Sequence, residues 1–303
     1  MNKTFPYTYI RKKVTKTSNA TIPIQSKAVQ YGLGFFTGIR GYYNDKNIYI
    51  FRLKDHYKRL KNSAKLLGMQ FHYSYPQFKN ILTKLIKKNS PKEDIYIRVT
   101  IYTTDTTLTP KFHNTNDDIA IYMISLKNYF KTDKGLNLLI SSWKRIENNA
   151  IPIQAKATGG YINSALAKSE ALNKGYDEAL FLNRKNQICE ATGANIFIIK
   201  KNKITTPPLT SNNLSGITRR SLLELFKKEL RLPAQEKIIT PKDLYLSDEA
   251  FLCGTAAQVS WIHSVNKKII SKKEGPITKQ IKELFQKVTR NQLKKYSNWL
   301  TKI

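Results

Sequence analysis

The chain is short of cysteine, histidine and acid. Its two cysteines, Cys189 and Cys253, are too few for a disulfide framework, and neither belongs to a CxxC pair or neighbours a histidine, which excludes a structural zinc site. The four histidines, His56, His72, His113 and His263, are scattered without metal-ligand spacing, so no metal is expected. No apolar run approaches the roughly 20 residues that span a bilayer, and the opening MNKTFPYTYIRKK lacks the apolar stretch of a secretory signal. The expectation is a cytoplasmic protein with no membrane partner. Glycine (13) and proline (11) are spread thinly, with neither an internal repeat nor a low-complexity tail, which excludes fibrous and disordered classes. Acid is outnumbered: 21 Asp and Glu face 52 Lys and Arg, for a net charge of +31. Such a surface attracts anions of every size. The lysines run along the whole chain instead of forming one block, so no specific nucleic-acid partner is expected.

What is present suits a globular core. At 303 residues and 41% hydrophobic content, the chain has the length of two domains of about 150 residues each. Leu53, Tyr57, Leu60, Ala64 and Leu67 recur at helical spacing, with Gly68 placed as a C-terminal cap. Ser74 and Pro76 open a second helix, striped by Phe78, Ile81, Leu82 and Leu85 and stopped by Pro91. The segment IYIRVTIYT alternates strictly, placing Ile95, Ile97, Val99 and Ile101 on one face and Tyr96, Arg98, Thr100 and Tyr102 on the other. IAIYMIS predicts another strand. LKNYFKTDKG, residues 126–135, has neither period and reads as a linker.

Beyond it, LNLLISSW reads as a strand, YINSALAKSEALNKG as a helix ending at Gly175, EALFLNRKNQICE as a hairpin around 183–186, and NIFIIK as a strand turning at 201–203. GITRRSLLELFKKEL predicts a helix with Leu222, Leu223 and Phe226 inward. Thr240, Pro241 and Asp243 resemble the start of a short helix before the strand EAFLCG. A last amphipathic helix begins near Pro276, with Ile281, Leu284, Phe285 and Val288 on its face. Without strict βαβ alternation the class is α+β: a smaller N-terminal domain over 1–125, the linker 126–135, and a larger C-terminal domain over 136–303.

Four segments carry candidate chemistry. IPIQAKATGGYIN sets Lys156 among small residues just before a helix, and lysine condenses with carbonyls when its pKa is lowered. ICEATGANIF carries Glu190 at the end of a hairpin strand. GIT at 216–218 opens a helix and GTAAQ at 254–258 leaves a strand with small residues, so both offer backbone amides to an anion. Taken singly, these are a lysine, a surface acid, a helix cap and a tight turn. Together they supply an amine for an aldehyde, an acid for a pyridinium nitrogen and amides for a phosphate, which are the parts of a pyridoxal phosphate site.

The segments YGLGFFTGIRGYY, FRLKDHYKRLKNSAKLLGM, YIRVTIY, SSWKR, IPIQAKATGGYINSALAKSEALNKGYDEALFL, CEATGANIFIIK, TPPLTSNNLSGITRRSLLEL and LYLSDEAFLCGTAAQVS succeed one another over nearly the whole chain. In that order they resemble the branched-chain amino acid aminotransferases. These belong to the fold type IV pyridoxal-phosphate enzymes, or class IV aminotransferases, with D-amino acid aminotransferase and aminodeoxychorismate lyase. The resemblance implies a two-domain α+β fold with pyridoxal 5'-phosphate in the cleft between the domains. It implies amino-group transfer between L-leucine, L-isoleucine or L-valine and 2-oxoglutarate, and a homodimer or higher homo-oligomer. Lys156 would hold the cofactor aldehyde and, once released, move the proton between the substrate α-carbon and cofactor C4′. Glu190 would keep the pyridine nitrogen protonated and Tyr161 would meet the phenolate oxygen. Arg59, the amides of Ile217 and Thr218 and the Thr255 hydroxyl would hold the phosphate. Tyr96, Arg98 and the amides of Thr255, Ala256 and Ala257 would meet substrate carboxylates, with Phe36, Tyr31, Tyr129 and Tyr161 as apolar walls.

Some positions depart from the group. Thr37, Ala194 and Gln258 stand where glutamates are usual, and Leu126 and Lys127 where an aromatic residue is common. None of these is a lysine, pyridine or phosphate contact, so the cofactor follows more firmly than the amino donor. A D-amino acid aminotransferase or aminodeoxychorismate lyase would share those contacts, but FFTGIR and the pair Tyr96 and Arg98 favour the branched-chain group. A basic nucleic-acid-binding protein on an inactive scaffold is the alternative of another class, and retention of Lys156 and Glu190 argues against it.

Overall fold

The computed structural model describes residues 3–130 and 134–303, so residues 131–133 of the expected linker lie outside the described residues. The chain divides into two units, Met1–Lys127 with Gln154–Gly159 and Lys287–Ile303, and Asn128–Ile153 with Gly160–Gln286. Among the described residues no helix is long and apolar enough to cross a membrane.

The first unit begins with the hairpin β1 (Tyr7–Ile10) and β2 (Lys13–Lys16), the short helix α1 (Lys27–Tyr31), and the strands β3 (Gly34–Asn44) and β4 (Asn47–Phe51). Helices α2 (Leu53–Leu67) and α3 (Tyr75–Asn89) follow, then strands β5 (Ile95–Thr103) and β6 (Asp117–Ser125). Local chemistry sets the helix ends as the sequence predicts. Gly68 closes α2 at φ +66, and Ser74 and Gln77 form a reciprocal capping box on α3. β5 pairs antiparallel with both β3 and β6, with Phe36 opposite Thr100 and Thr100 opposite Ala120. Residues directly opposite share a face, so Ile95, Ile97, Val99 and Ile101 join Phe35 and Ile39 on one side. There they pack in one core with Leu60, Phe78, Leu82 and Leu85 of the two helices. Each such side chain taken fully from water contributes about 1.5–3 kcal/mol.

In the second unit, β7 (Leu136–Ile140), α4 (Tyr161–Asn173) and β8 (Glu178–Leu182) form a crossover with β7 and β8 parallel. β9 (Ile188–Ala191) returns antiparallel to β8. β10 (Asn195–Lys200) and β11 (Lys203–Thr206) form a hairpin whose turn places Lys201 and Asn202 at φ +48 and +61. Next come α5 (Ile217–Lys228), β12 (Gln235–Glu236), α6 (Pro241–Tyr245), β13 (Glu249–Gly254), β14 (Gln258–Val265), β15 (Lys268–Ile269) and α7 (Pro276–Thr289). The sheet runs β12-β11-β10-β13-β14-β7-β8-β9, with β15 on β14.

Three details differ from the sequence reading. Ile217, Leu222, Leu225 and Phe226 are the buried apolar residues of α5 and Leu223 is half-buried, because the inward stripe recurs at three and four residues from Leu222. The strand LNLLISSW stops at Ile140, where the Ser141 hydroxyl and Ser142 amide turn to donate to Glu170. Helix α4 ends at Asn173, and Gly175 takes φ +78 in the turn beyond it.

From Lys287 the chain belongs to the first unit, where β16 (Leu300–Lys302) pairs antiparallel with β4. The first sheet thus runs β16-β4-β3-β5-β6-β1-β2. Where the sequence reading kept 136–303 together, strand pairing by the tail and by residues 154–159 groups both with the first unit. The end of the first long segment is held by Arg40, whose Nη2 donates to the carbonyls of Leu126 and Lys127. That contact reads backbone, so it does not require the aromatic side chain common at this position.

Candidate active site

In the first unit the alternation that buries the isoleucines of β5 turns Tyr96, Arg98 and Thr100 to the opposite face, where they are half-buried. Register sets Phe36 and Gly38 on that same face, opposite Thr100 and Arg98. The Arg98 guanidinium carbon lies 4.2 Å from the Phe36 ring centroid and 5.5 Å from that of Tyr96, within cation–π range. Glycine at 38 makes this possible, since a Cβ there would stand 2.0 Å from the Tyr96 hydroxyl oxygen.

Lys156 joins this face through the edge of β3. The Phe36 amide donates to the Lys156 carbonyl (3.2 Å), the Thr158 amide to the Gly34 carbonyl (2.8 Å) and the Gly159 amide to the Gly32 carbonyl (3.1 Å). Lys156 is held at φ +50, a left-handed conformation. For a residue other than glycine this costs on the order of 1–3 kcal/mol. Its Nζ lies 5.0 Å from the Phe36 ring centroid. The amine is therefore placed by the fold beside Phe36, the ring over which the Arg98 guanidinium also lies.

Arg59 is held from the other face of β3. Thr37 is buried toward α2, and its hydroxyl accepts from Arg59 Nη2 at 2.7 Å and lies 2.8 Å from His56 Nδ1. The threonine found in place of a glutamate thus anchors the guanidinium. Tyr31, at the end of α1, donates its hydroxyl to the Leu108 carbonyl at 2.6 Å. The same loop is fastened by the Ser26 hydroxyl to the Thr103 carbonyl (2.8 Å) and by the Lys27 amide to the Asp105 carbonyl (2.9 Å).

In the second unit Glu190 is 5% exposed, not a surface hairpin acid. Its Oε1 lies 3.0 Å from Arg145 Nη2, and its Oε2 accepts from Asn195 Nδ2 (3.2 Å) and the Leu214 amide (3.1 Å). Three donors are what a buried carboxylate needs in place of water. The Arg145 guanidinium also faces the Phe181 ring, 5.4 Å from its centroid. Burial first, then the Glu190 charge, pushes the neighbouring Cys189 thiol well up, so this cysteine is packing and not a nucleophile.

Ile217 opens α5 behind Gly216, which supplies no side-chain cap. The Ile217 and Thr218 amides lie in the first turn, where backbone N–H groups lack intrahelical acceptors and the helix dipole is positive. Thr255, Ala256 and Ala257 form the turn from β13 to β14, closed by Gln258 at φ +57, whose Nε2 donates to the Thr255 carbonyl at 2.8 Å. A Cβ on Gly254 would lie 3.4 Å from the Gly193 carbonyl and 3.6 Å from Ala194, so this turn rests against the loop that follows Glu190. The second unit thereby brings together Glu190, the approach to α5 and the GTAAQ turn. Tyr161 is half-buried as the first residue of α4, whereas Tyr129 is 49% exposed and lies edge-on against Phe130. Sequence reasoning missed His56, Arg145 and Asn195. Each lies within a motif segment, three residues before Arg59, at the end of SSWKR and five residues after Glu190 respectively, but side-chain identity alone gave no partner.

The first unit thus presents an amine and a positioned arginine, and the second a buried acid and an uncapped helix start, which are the kinds of group an aldehyde-bearing pyridine phosphate requires. The amino-transferase class IV pattern matches residues 34–265, and the chain belongs to that family. It is 40% identical over 300 residues to the probable branched-chain-amino-acid aminotransferase of Aquifex aeolicus, covering 98% of this chain and 96% of that one. Its structure is similar to that of the branched-chain aminotransferase from Thermoproteus uzoniensis with norvaline, with a TM-score of 0.94, 35% identity and 99% of each chain covered. It is also similar to the branched-chain amino acid aminotransferase from Thermobaculum terrenum in its PLP-form, with a TM-score of 0.92, 32% identity and coverage of 99% and 98%. The fold is thus the α+β fold type IV that the sequence segments implied.

Proposed function

We propose that the protein is a pyridoxal-phosphate-dependent branched-chain-amino-acid aminotransferase. It exchanges the amino group of L-leucine, L-isoleucine or L-valine with 2-oxoglutarate, giving branched 2-oxo acids and L-glutamate. The observation that carries this reading is Lys156, fixed at φ +50 against β3 with its amine beside the Phe36 ring that Arg98 also faces. When bound, the cofactor supplies the electron sink for the α-carbon's electrons. Lys156 would hold the cofactor aldehyde, and its amine would carry the proton at the substrate α-carbon. Glu190, held by three donors, would meet the pyridine nitrogen and Tyr161 the phenolate oxygen. Arg59, the amides of Ile217 and Thr218 and the Thr255 hydroxyl would hold the phosphate.

The same residues rationalise two unlike substrates. Arg98 stacked on Phe36 offers a ring to an aliphatic side chain and a guanidinium to the second carboxylate of glutamate, with Tyr96 beside it. The amides of Thr255, Ala256 and Ala257 receive the α-carboxylate, and Tyr31 and Tyr129 complete the apolar wall. The test is the visible spectrum of the cofactor-loaded protein. The band is expected to be lost with L-leucine and restored by 2-oxoglutarate. A response only to D-alanine or 4-amino-4-deoxychorismate would overturn the branched-chain reading while keeping the cofactor.

A homodimer is part of this proposal. Ile22 and Val29, both exposed, line a cavity of about 470 Å³ in the first unit, and Ile24 and Leu108 are 76% exposed. Exposed apolar clusters of this kind mark association surfaces. Light scattering on the eluted protein should give twice the chain mass of 34.9 kDa, and an active monomer would refute the dimer.

A further inference from the structure

We infer that Asn195 is a positioning residue that fixes the distance between two cofactor anchors of the second unit, the Glu190 carboxylate and the amide-bearing start of α5. The inference rests on the cofactor roles proposed above for Glu190, Ile217 and Thr218.

Asn195 is the first residue of β10 and is 5% exposed. Its single NH₂ group donates twice, to Glu190 Oε2 at 3.2 Å and to the Leu214 carbonyl at 2.9 Å. The Leu214 amide donates to the same Glu190 oxygen at 3.1 Å, and the Gly216 amide donates to the Leu214 carbonyl at 2.8 Å. Glu190, Asn195 and Leu214 thus close a ring of hydrogen bonds, and α5 begins three residues after its last member. The backbone of Asn195 is itself fixed, paired with Cys253 of β13 just before the GTAAQ turn.

The other end of the carboxamide acts by exclusion. A Cβ at Gly216 would lie 2.0 Å from Asn195 Oδ1, and that oxygen cannot retreat without breaking both bonds made by Nδ2. Ser, Thr, Asp and Asn are the usual residues at a helix N-cap because their side chains occupy the first free amides. Asn195 forbids every one of them at 216, which keeps the Ile217 and Thr218 amides available to an external anion. Asn195 therefore sets the span between the two anchors and holds one of them open, without touching the reacting atoms. Aspartate would place a second carboxylate beside Glu190, and serine is too short to reach both acceptors.

A residue that sets a span matters to a ligand that uses both ends and little to one that uses a single end. Cofactor-stripped protein is titrated with pyridoxal phosphate, with pyridoxal and with inorganic phosphate, in the wild type and in Asn195→Ala and Gly216→Ala. Pyridoxal phosphate affinity should fall about ten- to a hundredfold in Asn195→Ala, the scale of losing a hydrogen bond to a charged group. Pyridoxal and inorganic phosphate should each change less than about threefold, since either engages one anchor. Equal losses for all three ligands would reduce Asn195 to a general structural role, and unchanged pyridoxal phosphate affinity would overturn the inference. Gly216→Ala should reproduce the same pattern, which keeps the test decisive if Asn195→Ala does not fold. Glu190→Gln and Arg59→Ala serve as references. If neither weakens pyridoxal phosphate, the cofactor roles themselves fail; if both do and Asn195→Ala does not, only this inference falls.

Discussion

Lys156 is held in its left-handed conformation by backbone hydrogen bonds to β3, not by its own amine. Removing the amine should therefore leave the fold intact. Lys156→Ala is expected to abolish turnover with a melting temperature within a few degrees of the wild type, and substantial activity in that variant would refute the assignment. Thr37 gives a second prediction at this scale. Its hydroxyl is shared by Arg59 and His56 in a buried setting, so Thr37→Val removes one polar contact from each. Pyridoxal phosphate should bind about tenfold more weakly in that variant, by the usual magnitude of such a loss, and Thr37→Ser should restore it. Lys156 and Glu190 were legible in the sequence because their motifs are local. Thr37 and Arg59 were not legible as a pair, because 22 residues and a strand-to-helix packing separate them.

At the scale of elements, period was the readable signal. The alternation of β5 separated Tyr96 and Arg98 from the core, and the start of α3 was readable from Ser74 and Pro76, although Gln77's part in the capping box was not. The edge pairing of residues 156–159 was not legible, since three backbone bonds beside a positive φ carry no side-chain pattern. The anchoring of α4, which presents Tyr161, was hidden for another reason, since the Glu170 side chain reaches Ser141 and Ser142 nearly thirty residues back. Burial alone would raise the Glu170 carboxyl, but the Lys174 ammonium, the Ser141 hydroxyl and the Ser142 amide outweigh it and bring it from 4.5 down to about 2. The folded state thus holds the proton less tightly than the unfolded one. Its stabilisation is complete above pH 4.5 and is lost as pH falls toward 2. Glu170→Gln should melt below the wild type at pH 7, and the gap should close as the two are compared from pH 4.5 downward. A gap that stays constant with pH would show that Glu170 contributes through packing and not through charge.

For the whole molecule the dominant fact is charge, and neither the site nor the sheets explain it. With 52 basic and 21 acidic residues, acidic partners are outnumbered, and the ion pairs formed use single carboxylates such as Asp94 and Glu178 within one unit. A net charge of +31 confined to a folded chain repels itself, and unfolding relieves that repulsion by moving the charges apart. Salt weakens the penalty, because the screening length shortens from about 30 Å at 0.01 M to about 10 Å at 0.1 M. The melting temperature of the cofactor-loaded protein should therefore rise by several degrees between 10 and 150 mM sodium chloride. That shift is on the order of 1–2 kcal/mol for a chain of this size. Loading the cofactor first keeps chloride from acting through the phosphate anchors, and sodium chloride adds no multivalent anion to bridge lysines. A rise of this kind would make the basic surface a cost the fold bears by its core. A flat or falling melting temperature would mean that the local pairs already offset the repulsion, and the lysines would then be neutral for stability despite their number.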